Sequence, residues 1–311
     1  MSRFELAYVA LAVNDLNPVE AFLANDLSMP QFLVQGPGGP LLAFGVGRTA
    51  LVLFEKGDPM LSNARVGVDH IAFAADDPEA TVQALGLARN AKAGTGLDNQ
   101  IQFTIDPTIT AGLSTRFTNP LGLGGKPSSH VERIDHLGVA SANNQVAKKV
   151  FGSQIGLPIE SQQTDMEINV TIESFTSDKY GVVYRNRPPK PVGGLQVSFF
   201  TAGDCELEFL QNFDPCDKVE IHHGAAGTTK QDQGAITRFI EKNGAGLHHI
   251  ALKTPNVDAT LAHLADNGHR LIDQVGRPGS RRARIGFVHP ASFGGVLLHF
   301  VEREEIYDSS A

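Results

Sequence analysis

Three short segments of this 311-residue chain repeat one pattern, in which a histidine lies within a run of small and aliphatic residues. The segments are Val68–Ala74, Ile134–Ala140 and Leu247–Leu252, and each reads as a strand. The third is followed by a helical segment and then by two strands, the last of which carries His299. Repetition of this kind predicts a small βα unit that is used several times, and it restricts where a metal ion can bind.

The composition, with 41% hydrophobic and 19% charged residues, is that of an ordinary globular protein. A formal net charge of −8 argues against a nucleic-acid partner. No run of about 18 apolar residues is present to span a bilayer, and the first residues lack the pattern of a signal peptide. The two cysteines, Cys205 and Cys216, are expected to be free buried thiols. We therefore expect a cytoplasmic protein that acts on a small molecule, without a membrane or nucleic-acid partner.

A segment rich in glycine, proline and serine divides the chain. Residues 122–130 predict a linker between a first part at 1–121 and a second part at 131–305, with a short tail at 306–311. Hydrophobic patterning divides each part into two units of the order βαβββ, of which the second unit of the first part has the weakest pattern. The chain therefore predicts an α+β fold of four modules.

The second part resembles the vicinal oxygen chelate superfamily of glyoxalase and bleomycin-resistance-like proteins. Its last module is similar to methylmalonyl-CoA epimerase over five stretches, namely Gly246–Leu252, Gly268–Asp273, Arg277–Gly279, Ala283–Pro290 and Gly294–Leu298. The four-module layout is similar to that of the ring-cleaving extradiol dioxygenases. This resemblance implies that the modules pair into two half-barrel domains, with one divalent metal ion in the cavity of the second.

The resemblance also implies metal ligands on the first and last strands of each module. In this sequence His136 and His249 occupy the first-strand positions, and Glu208 and His299 occupy the last-strand positions. The epimerases carry a glutamate where His299 stands. Side chains alternate along a strand, so each of these four shares a face with small or apolar neighbours. Imidazole and carboxylate ligands predict one divalent ion, which would be Mn, Co, Ni, Zn or Fe.

Three alternatives near this set stay open. A register slip of two residues would exchange Glu208 for Glu206, because both lie on one face of the strand. His248 is expected to point away from the face of His249. A basic cluster is either a solvated loop or a site for a substrate anion, and it consists of Arg277, Arg281, Arg282 and Arg284.

The first part does not repeat the ligand set. Its matching positions hold Tyr8, Val52 and His70, and no clear last-strand ligand is found near Phe117. A single histidine on an apolar strand is more often a hydrogen-bonded core residue than a ligand, and we read His70 in this way. The first part is therefore predicted to be a degenerate module pair without metal.

The third module carries an insertion at 160–191. Ile168, Val170 and Ile172 alternate with polar residues, which predicts a strand, and the proline-rich end predicts an exposed loop. The insertion would serve as a lid over the metal cavity or as a packing element. By resemblance to the epimerases, which use a carboxylate near this strand as a base, Glu173 is the candidate catalytic residue.

Three functions are compatible with this pattern. The favoured one is a metal-dependent epimerase, isomerase or lyase that acts on a small carbonyl or carboxylate substrate through a metal-stabilised enolate. The second is an Fe(II)-dependent, extradiol-like dioxygenase, for which two histidines and one carboxylate suffice. The third is a non-catalytic protein that binds a small ligand. A homodimer is compatible with all three.

Overall fold

Two eight-stranded sheets dominate the computed structural model, which describes residues 4–170, 172–213 and 234–304. The first sheet is built from the chain before the predicted linker and the second from the chain after it. The few helices in the described residues are short. The predicted α+β fold of four modules in two half-barrels is confirmed.

The first sheet contains two βαβββ modules. The first module consists of β1 (Leu6–Val13), α1 (Leu16–Ala21), β2 (Gln31–Gly36), β3 (Gly39–Val46) and β4 (Thr49–Glu55). The second module consists of β5 (Gly67–Ala74), α2 (Pro78–Ala84), β6 (Ala91–Thr95), β7 (Ile101–Ile105) and β8 (Thr115–Thr118). The strand order is β2-β3-β4-β1-β5-β8-β7-β6, so the two modules meet where β1 pairs with β5.

The second sheet repeats this plan with an insertion. The third module consists of β9 (Arg133–Ala140), α3 (Asn144–Ala147), β10 (Ile159–Asn169), β11 (Ile172–Ser177), β12 (Gly181–Asn186), β13 (Lys190–Ala202) and β14 (Cys205–Phe213). After α4 (Ala235–Asn243), the fourth module consists of β15 (Gly246–Lys253), α5 (Val257–Asp266), β16 (Arg277–Pro278), β17 (Arg284–Val288) and β18 (Leu298–Glu302). The order is β10-β13-β14-β9-β15-β18-β17-β16.

Corresponding strands occupy corresponding places in the two sheets. β1 and β9 each lie between a parallel last strand, β4 or β14, and an antiparallel first strand, β5 or β15. Strands β8 and β18 then pair in parallel with β5 and β15. First and last strands of all four modules are therefore side by side at the centre of each sheet.

One buried core extends through both parts of the chain. The ring of Phe22, which follows α1, lies 4.9 Å from that of Phe293 in the fourth module, measured between centroids. On α5 the i, i+4, i+7 spacing of Val257, Leu261 and Leu264 places all three on one face, and all are fully buried. Burial of these apolar faces packs the helices against the sheets.

Part of the insertion forms strands, as its alternation predicts, although the alternating residues do not lie in one continuous strand. The chain leaves β10 after Asn169 and enters β11 at Ile172, and β11 pairs only with β12 in a separate two-stranded sheet. The proline-rich end is exposed at residues 186–189, as expected. The interruption means that alternation over five residues did not distinguish one long strand from two shorter ones.

Some sequence predictions fall on residues that the structure does not describe, which are 1–3, 171, 214–233 and 305–311. Cys216 and the tail at 306–311 lie there. Cys205 is buried and carries a free thiol. Within the described ranges, no helix has both the length and the apolar character needed to cross a membrane.

Candidate metal centre

Four adjacent strands of the second sheet bring the four predicted ligands together. β14, β9, β15 and β18 lie side by side and carry Glu208, His136, His249 and His299. One nitrogen from each of the three histidines lies within 4.8 Å of the other two. The Oε2 atom of Glu208 is 3.4 Å from the Nε2 atoms of both His136 and His249. All four side chains are buried, so the cluster is enclosed by protein.

Strand register explains why the four side chains converge. Glu208 and His249 both pair with Gly138, which lies between them on β9. His136 and His299 both pair with Ala251, which lies between them on β15. In each of these two cross-strand sets, a small residue therefore lies between the two candidate ligands. A β carbon at Gly138 would overlap the His249 ring, so glycine at this position leaves the space that the imidazole occupies.

Hydrogen bonds from neighbouring side chains orient two of the imidazoles. The Nδ1 atom of His136 lies 2.7 Å from Oδ1 of Asp135, whose other oxygen accepts from Nε of Arg303 at 3.1 Å. Because an ionised carboxylate only accepts, His136 carries its proton on Nδ1 and leaves Nε2 available as a ligand. The Nδ1 atom of His249 lies 3.0 Å from Nδ1 of His248, and this contact between the two rings orients the second imidazole.

His248 does not point away from the site, contrary to the prediction. It lines the same cavity as His249 although the two residues are adjacent in sequence. The pairing of β15 with β9 shifts register between Leu247 and His249, and this bulge breaks the strict alternation of faces. The sequence alone carries no sign of the bulge, because register depends on a strand more than 100 residues away.

Two imidazole nitrogens in the cluster have no hydrogen-bond partner in the part of the chain that the structure describes. They are Nε2 of His249 and Nδ1 of His299. Leaving a buried polar atom without a partner costs about 1–3 kcal/mol. Coordination of a cation would satisfy both atoms. The residues present therefore fit a divalent ion with nitrogen and oxygen ligands.

Electrostatics keeps the cluster in the protonation state that a metal requires. Burial by itself raises the pKa of Glu208, but the neighbouring His136 and His249 more than reverse this and bring it to about 2. Burial lowers the pKa of His249, and burial together with the two other imidazoles lowers that of His299 well below its usual value. At neutral pH the cluster accordingly holds one carboxylate and neutral His249 and His299 rings, which is the form that binds cations.

The cluster forms one wall of a cavity of about 340 Å³. Phe287 packs against His299 with ring centroids 4.4 Å apart. Arg277 and Arg303 supply positive charge at the wall. Most of the remaining lining is apolar, and it includes Leu195, Leu210, Ile236, Ile285, Leu297 and Val301. A cavity of this size and character suits a small molecule with an apolar body and a few polar atoms.

Comparison with known proteins shows what the second half of the chain is similar to. Residues 135–287 match the family model described as Glyoxalase/Bleomycin resistance protein/Dioxygenase superfamily. This half of the chain is similar to that superfamily. Mitochondrial methylmalonyl-CoA epimerase from Bos taurus is 22% identical over 197 residues, which cover 62% of this chain and 85% of the bovine protein. The resemblance to the superfamily and its epimerases is therefore confirmed.

Solved structures match the whole chain in fold. A variant of 4-hydroxymandelate synthase from Streptomyces coelicolor is 15% identical, with a TM-score of 0.61 over 98% of this chain and 94% of its own. The 2,3-dioxygenase LapB from Pseudomonas sp. KL28 is 12% identical, with a TM-score of 0.56 over 99% of this chain and 95% of its own. At these identities the likeness concerns the fold alone, and it covers both halves of the chain.

The arginines of the predicted basic cluster do not form one common site in the second half of the chain. Arg277 lines the cavity, whereas Arg284 is half-exposed and pairs with Asp258. Arg281 packs over Phe199 and forms an ion pair of 2.5 Å with Glu206. Glu206 is thereby held by an arginine, and Glu208 is the carboxylate beside the histidines. The structure favours Glu208 over Glu206 for the metal centre.

The structure does not describe the side chain of one predicted residue, and it shows one site residue that the sequence analysis missed. Glu173 lies in β11, whose hairpin is a separate sheet, and its side chain is outside the described part of the structure. Asp135 received no role from the sequence, yet it orients His136. The sequence does contain a pattern that could have indicated this role, because an Asp-His pair occurs both at 69–70 and at 135–136.

Replacing Asp135 by asparagine is expected to weaken metal binding by about 10- to 100-fold, because the amide no longer fixes the His136 proton on Nδ1. Competition against a coloured chelator measures the change. Asp69→Asn is the matched control, because Asp69 makes the same contact with His70 in the first half, at 2.6 Å. Equal metal affinity of the wild type and Asp135→Asn would show that the contact between Asp135 and His136 does not support metal binding.

The first half carries different residues at three of the four equivalent positions and repeats the histidine of the remaining one. Pairing of β1 with β4 and β5 matches Tyr8 to His136, Val52 to Glu208 and His70 to His249. The Tyr8 hydroxyl lies 3.1 Å from Nε2 of His70. The fourth position, where the sequence showed no clear ligand, is held by Arg116, which pairs with Ala72 as His299 pairs with Ala251.

The fully buried His70 is expected to make stability depend on pH. Burial and the Arg116 charge lower the pKa of His70 from 6.5 to about 4. Below pH 6.5 the His70 side chain therefore binds a proton in the unfolded chain but not in the folded chain. The free energy of unfolding then falls by about 1.4 kcal/mol for each unit that the pH is lowered toward 4. Urea unfolding of metal-free protein from pH 7 to pH 4.5 measures this. His70→Gln should show a shallower slope, and an identical slope would contradict the assignment.

Proposed function

We propose that the second half-barrel is the active site of a metal-dependent enzyme, which binds a small carbonyl or carboxylate compound and removes a proton next to the carbonyl. The convergence of three buried imidazoles and one carboxylate at the wall of a cavity carries this proposal. The similarity to methylmalonyl-CoA epimerase supports it. An epimerase, isomerase or lyase reaction would follow from such a proton transfer.

The ion would be held by His136, Glu208, His249 and His299. A divalent metal in this position supplies Lewis-acid stabilisation of the negative charge that develops on a substrate oxygen. The neutral histidines and one ionised carboxylate leave a net positive charge at such a centre, which attracts an anionic substrate.

Arginines at the cavity wall would orient the substrate. Arg303 uses part of its guanidinium to bind Asp135, and the five N–H donors of arginine allow further bonds. Arg277 lies over the Phe287 ring, 5.3 Å from its centroid, on the same side as His299. A planar guanidinium matches a carboxylate better than an ammonium group does, so a carboxylate on the substrate would bind here.

A proton acceptor must lie within hydrogen-bond reach of the carbon acid. Among the described residues that line the cavity, Glu208 is the single carboxylate, and its pKa of about 2 suits a metal ligand better than a base. Glu173 is therefore the candidate base, on the resemblance to the epimerases. The volume of about 340 Å³ favours a small acid rather than a substrate that must be enclosed together with a nucleotide.

Hydrogen exchange with solvent tests the proposed function. Protein loaded with Mn, Co, Ni or Zn would be incubated in D₂O with a panel of small 2-oxo and 3-oxo carboxylates, and proton NMR would follow the C–H signal next to the carbonyl. We expect exchange by the wild type and by Asp69→Asn, and none by Glu208→Gln. Exchange no faster than with free metal ion across the panel would refute the proposal.

An extradiol-like dioxygenase is the second candidate function. His136, His249 and Glu208 are linked by two 3.4 Å contacts, which gives the two-histidine, one-carboxylate set of Fe(II) oxygenases. Oxygen uptake by Fe(II)-loaded protein with catechol, without exchange on the oxo acids, would establish this alternative. Ligand binding without bound metal or turnover would instead indicate a non-catalytic binding protein.

A further inference from the structure

The first half-barrel contains a second cavity, of about 470 Å³, on the other half of the molecule from the metal centre. Its described lining includes two basic side chains, Lys92 and Arg116, and no acidic one. The remaining walls are formed by small polar groups and by apolar residues, the latter including Pro37, Pro59, Met60, Leu61 and Pro107. The cavity therefore combines positive charge with an apolar surface.

Arg116 is the buried charge in this cavity. The residue is 4% exposed and lies on β8, at the position that His299 occupies on β18. Its Nη2 atom donates to the carbonyl of Met60, whereas Nε and Nη1 are buried without a hydrogen-bond partner among the described residues. Buried guanidinium donors without partners are unfavourable, so an occupant that accepts from them is expected.

No carboxylate of the described chain neutralises Arg116 through a salt bridge. Asp69, the buried acid among the described residues of this half, contacts His70 at 2.6 Å and accepts from the backbone N–H of Ser62 at 2.8 Å. The other residues around Arg116, such as Tyr8 and His70, are neutral at pH 7, since burial raises the pKa of Tyr8 and lowers that of His70. The positive charge of Arg116 is therefore available to a ligand.

The polar lining can add further hydrogen bonds. The hydroxyl oxygens of Ser62 and Ser114 lie 2.5 Å apart, so at least one of the two hydroxyls donates to the other. Gln102 is 6% exposed, and its Oε1 atom accepts from Tyr8 at 3.4 Å, which directs its amide nitrogen elsewhere. These donors are grouped around the same cavity as the Arg116 guanidinium.

We propose that this cavity is a metal-independent binding site for a small organic carboxylate with an apolar body, anchored by Arg116. In the second half-barrel, the last-strand position supplies a ligand for a cation. In the first half-barrel, the same position supplies a cation that belongs to the chain itself. Both halves would then present positive charge to an anionic oxygen at equivalent places, one through a bound metal and one through a guanidinium.

Fluorine NMR with 4-fluorobenzoate tests the site on full-length protein, treated with EDTA and kept in chloride-free buffer. The neutral analogue 4-fluorobenzamide reports any binding that does not need the carboxylate. We expect saturable binding of the benzoate alone. Arg116→Gln should weaken it by about 30-fold or more, because a buried charge partner is lost. His136→Ala, in the other half, should bind as the wild type does.

Two controls keep the test decisive. Arg116→Gln removes a buried charge without a salt-bridge partner, so its urea unfolding midpoint should not fall below that of the wild type. Thr104→Trp narrows the cavity without changing Arg116, and it should also abolish binding. Equal affinity of the wild type and Arg116→Gln, or loss of binding in His136→Ala alone, would overturn the proposal. Neither result depends on metal, so the test is separate from that of the proposed enzyme.

Discussion

His136→Ala is expected to lower the metal content from about one equivalent per chain to a trace and to abolish solvent exchange. The substitution removes the nitrogen that lies 3.4 Å from Glu208 and leaves Asp135 without the imidazole it orients. Mass spectrometry of the metal content after loading and desalting measures the first effect. The D₂O exchange assay measures the second effect.

The matched control for this variant is His70→Gln. His70 has the same place in the first half as His249 has in the second, and it contacts Asp69 as His136 contacts Asp135. Metal content should be unchanged in this control. If His136→Ala retained a full equivalent of metal after dialysis against EDTA, the ion would be bound elsewhere and the ligand set would be wrong.

Gly138→Ala is expected to disable the same centre through packing alone. A β carbon at this position would overlap the imidazole of His249, which lies directly over the glycine. Either the ring or the strand must move, and overpacking of this kind costs about 1–3 kcal/mol of stability. Urea unfolding of metal-free protein and metal titration measure the two consequences, and we expect metal affinity to fall by more than the 10- to 100-fold expected for Asp135→Asn.

A double-mutant cycle identifies the cause. If the overlap with the ring is responsible, combining Gly138→Ala with His249→Ala should recover much of the stability that Gly138→Ala loses alone. Normal metal binding by Gly138→Ala would show that His249 is not confined to this space.

The four candidate ligands were predictable because each lies in a local pattern. His136 and His249 follow from the repeated strand motif, and His299 follows from the strand that ends the fourth module. Glu208 required a choice against Glu206, since both lie on one face of β14. The tertiary structure resolves that choice through Arg281, which binds Glu206 at 2.5 Å and leaves Glu208 beside the histidines.

His248 and Arg116 were not predictable in the same way. The face of His248 depends on a bulge in the pairing of β15 with β9, and the role of Arg116 depends on its pairing with Ala72 across two strands. The residues near these positions do not determine either strand register. The sequence around Arg116 shows only an arginine in a short strand, which is ordinarily an exposed residue.

The sequence by itself therefore determined the modular α+β fold and three imidazoles and a carboxylate as the candidate metal ligands. The fold follows from periodicity and repetition, which are local properties of the chain, whereas the ligand set is what the resemblance to the superfamily implies. Only the tertiary structure decided which side chains share a cavity, which imidazole nitrogens lack partners, and where a buried arginine replaces a ligand. These properties depend on the registers between strands distant in sequence, and a shift of one residue moves a side chain to the opposite face of the sheet.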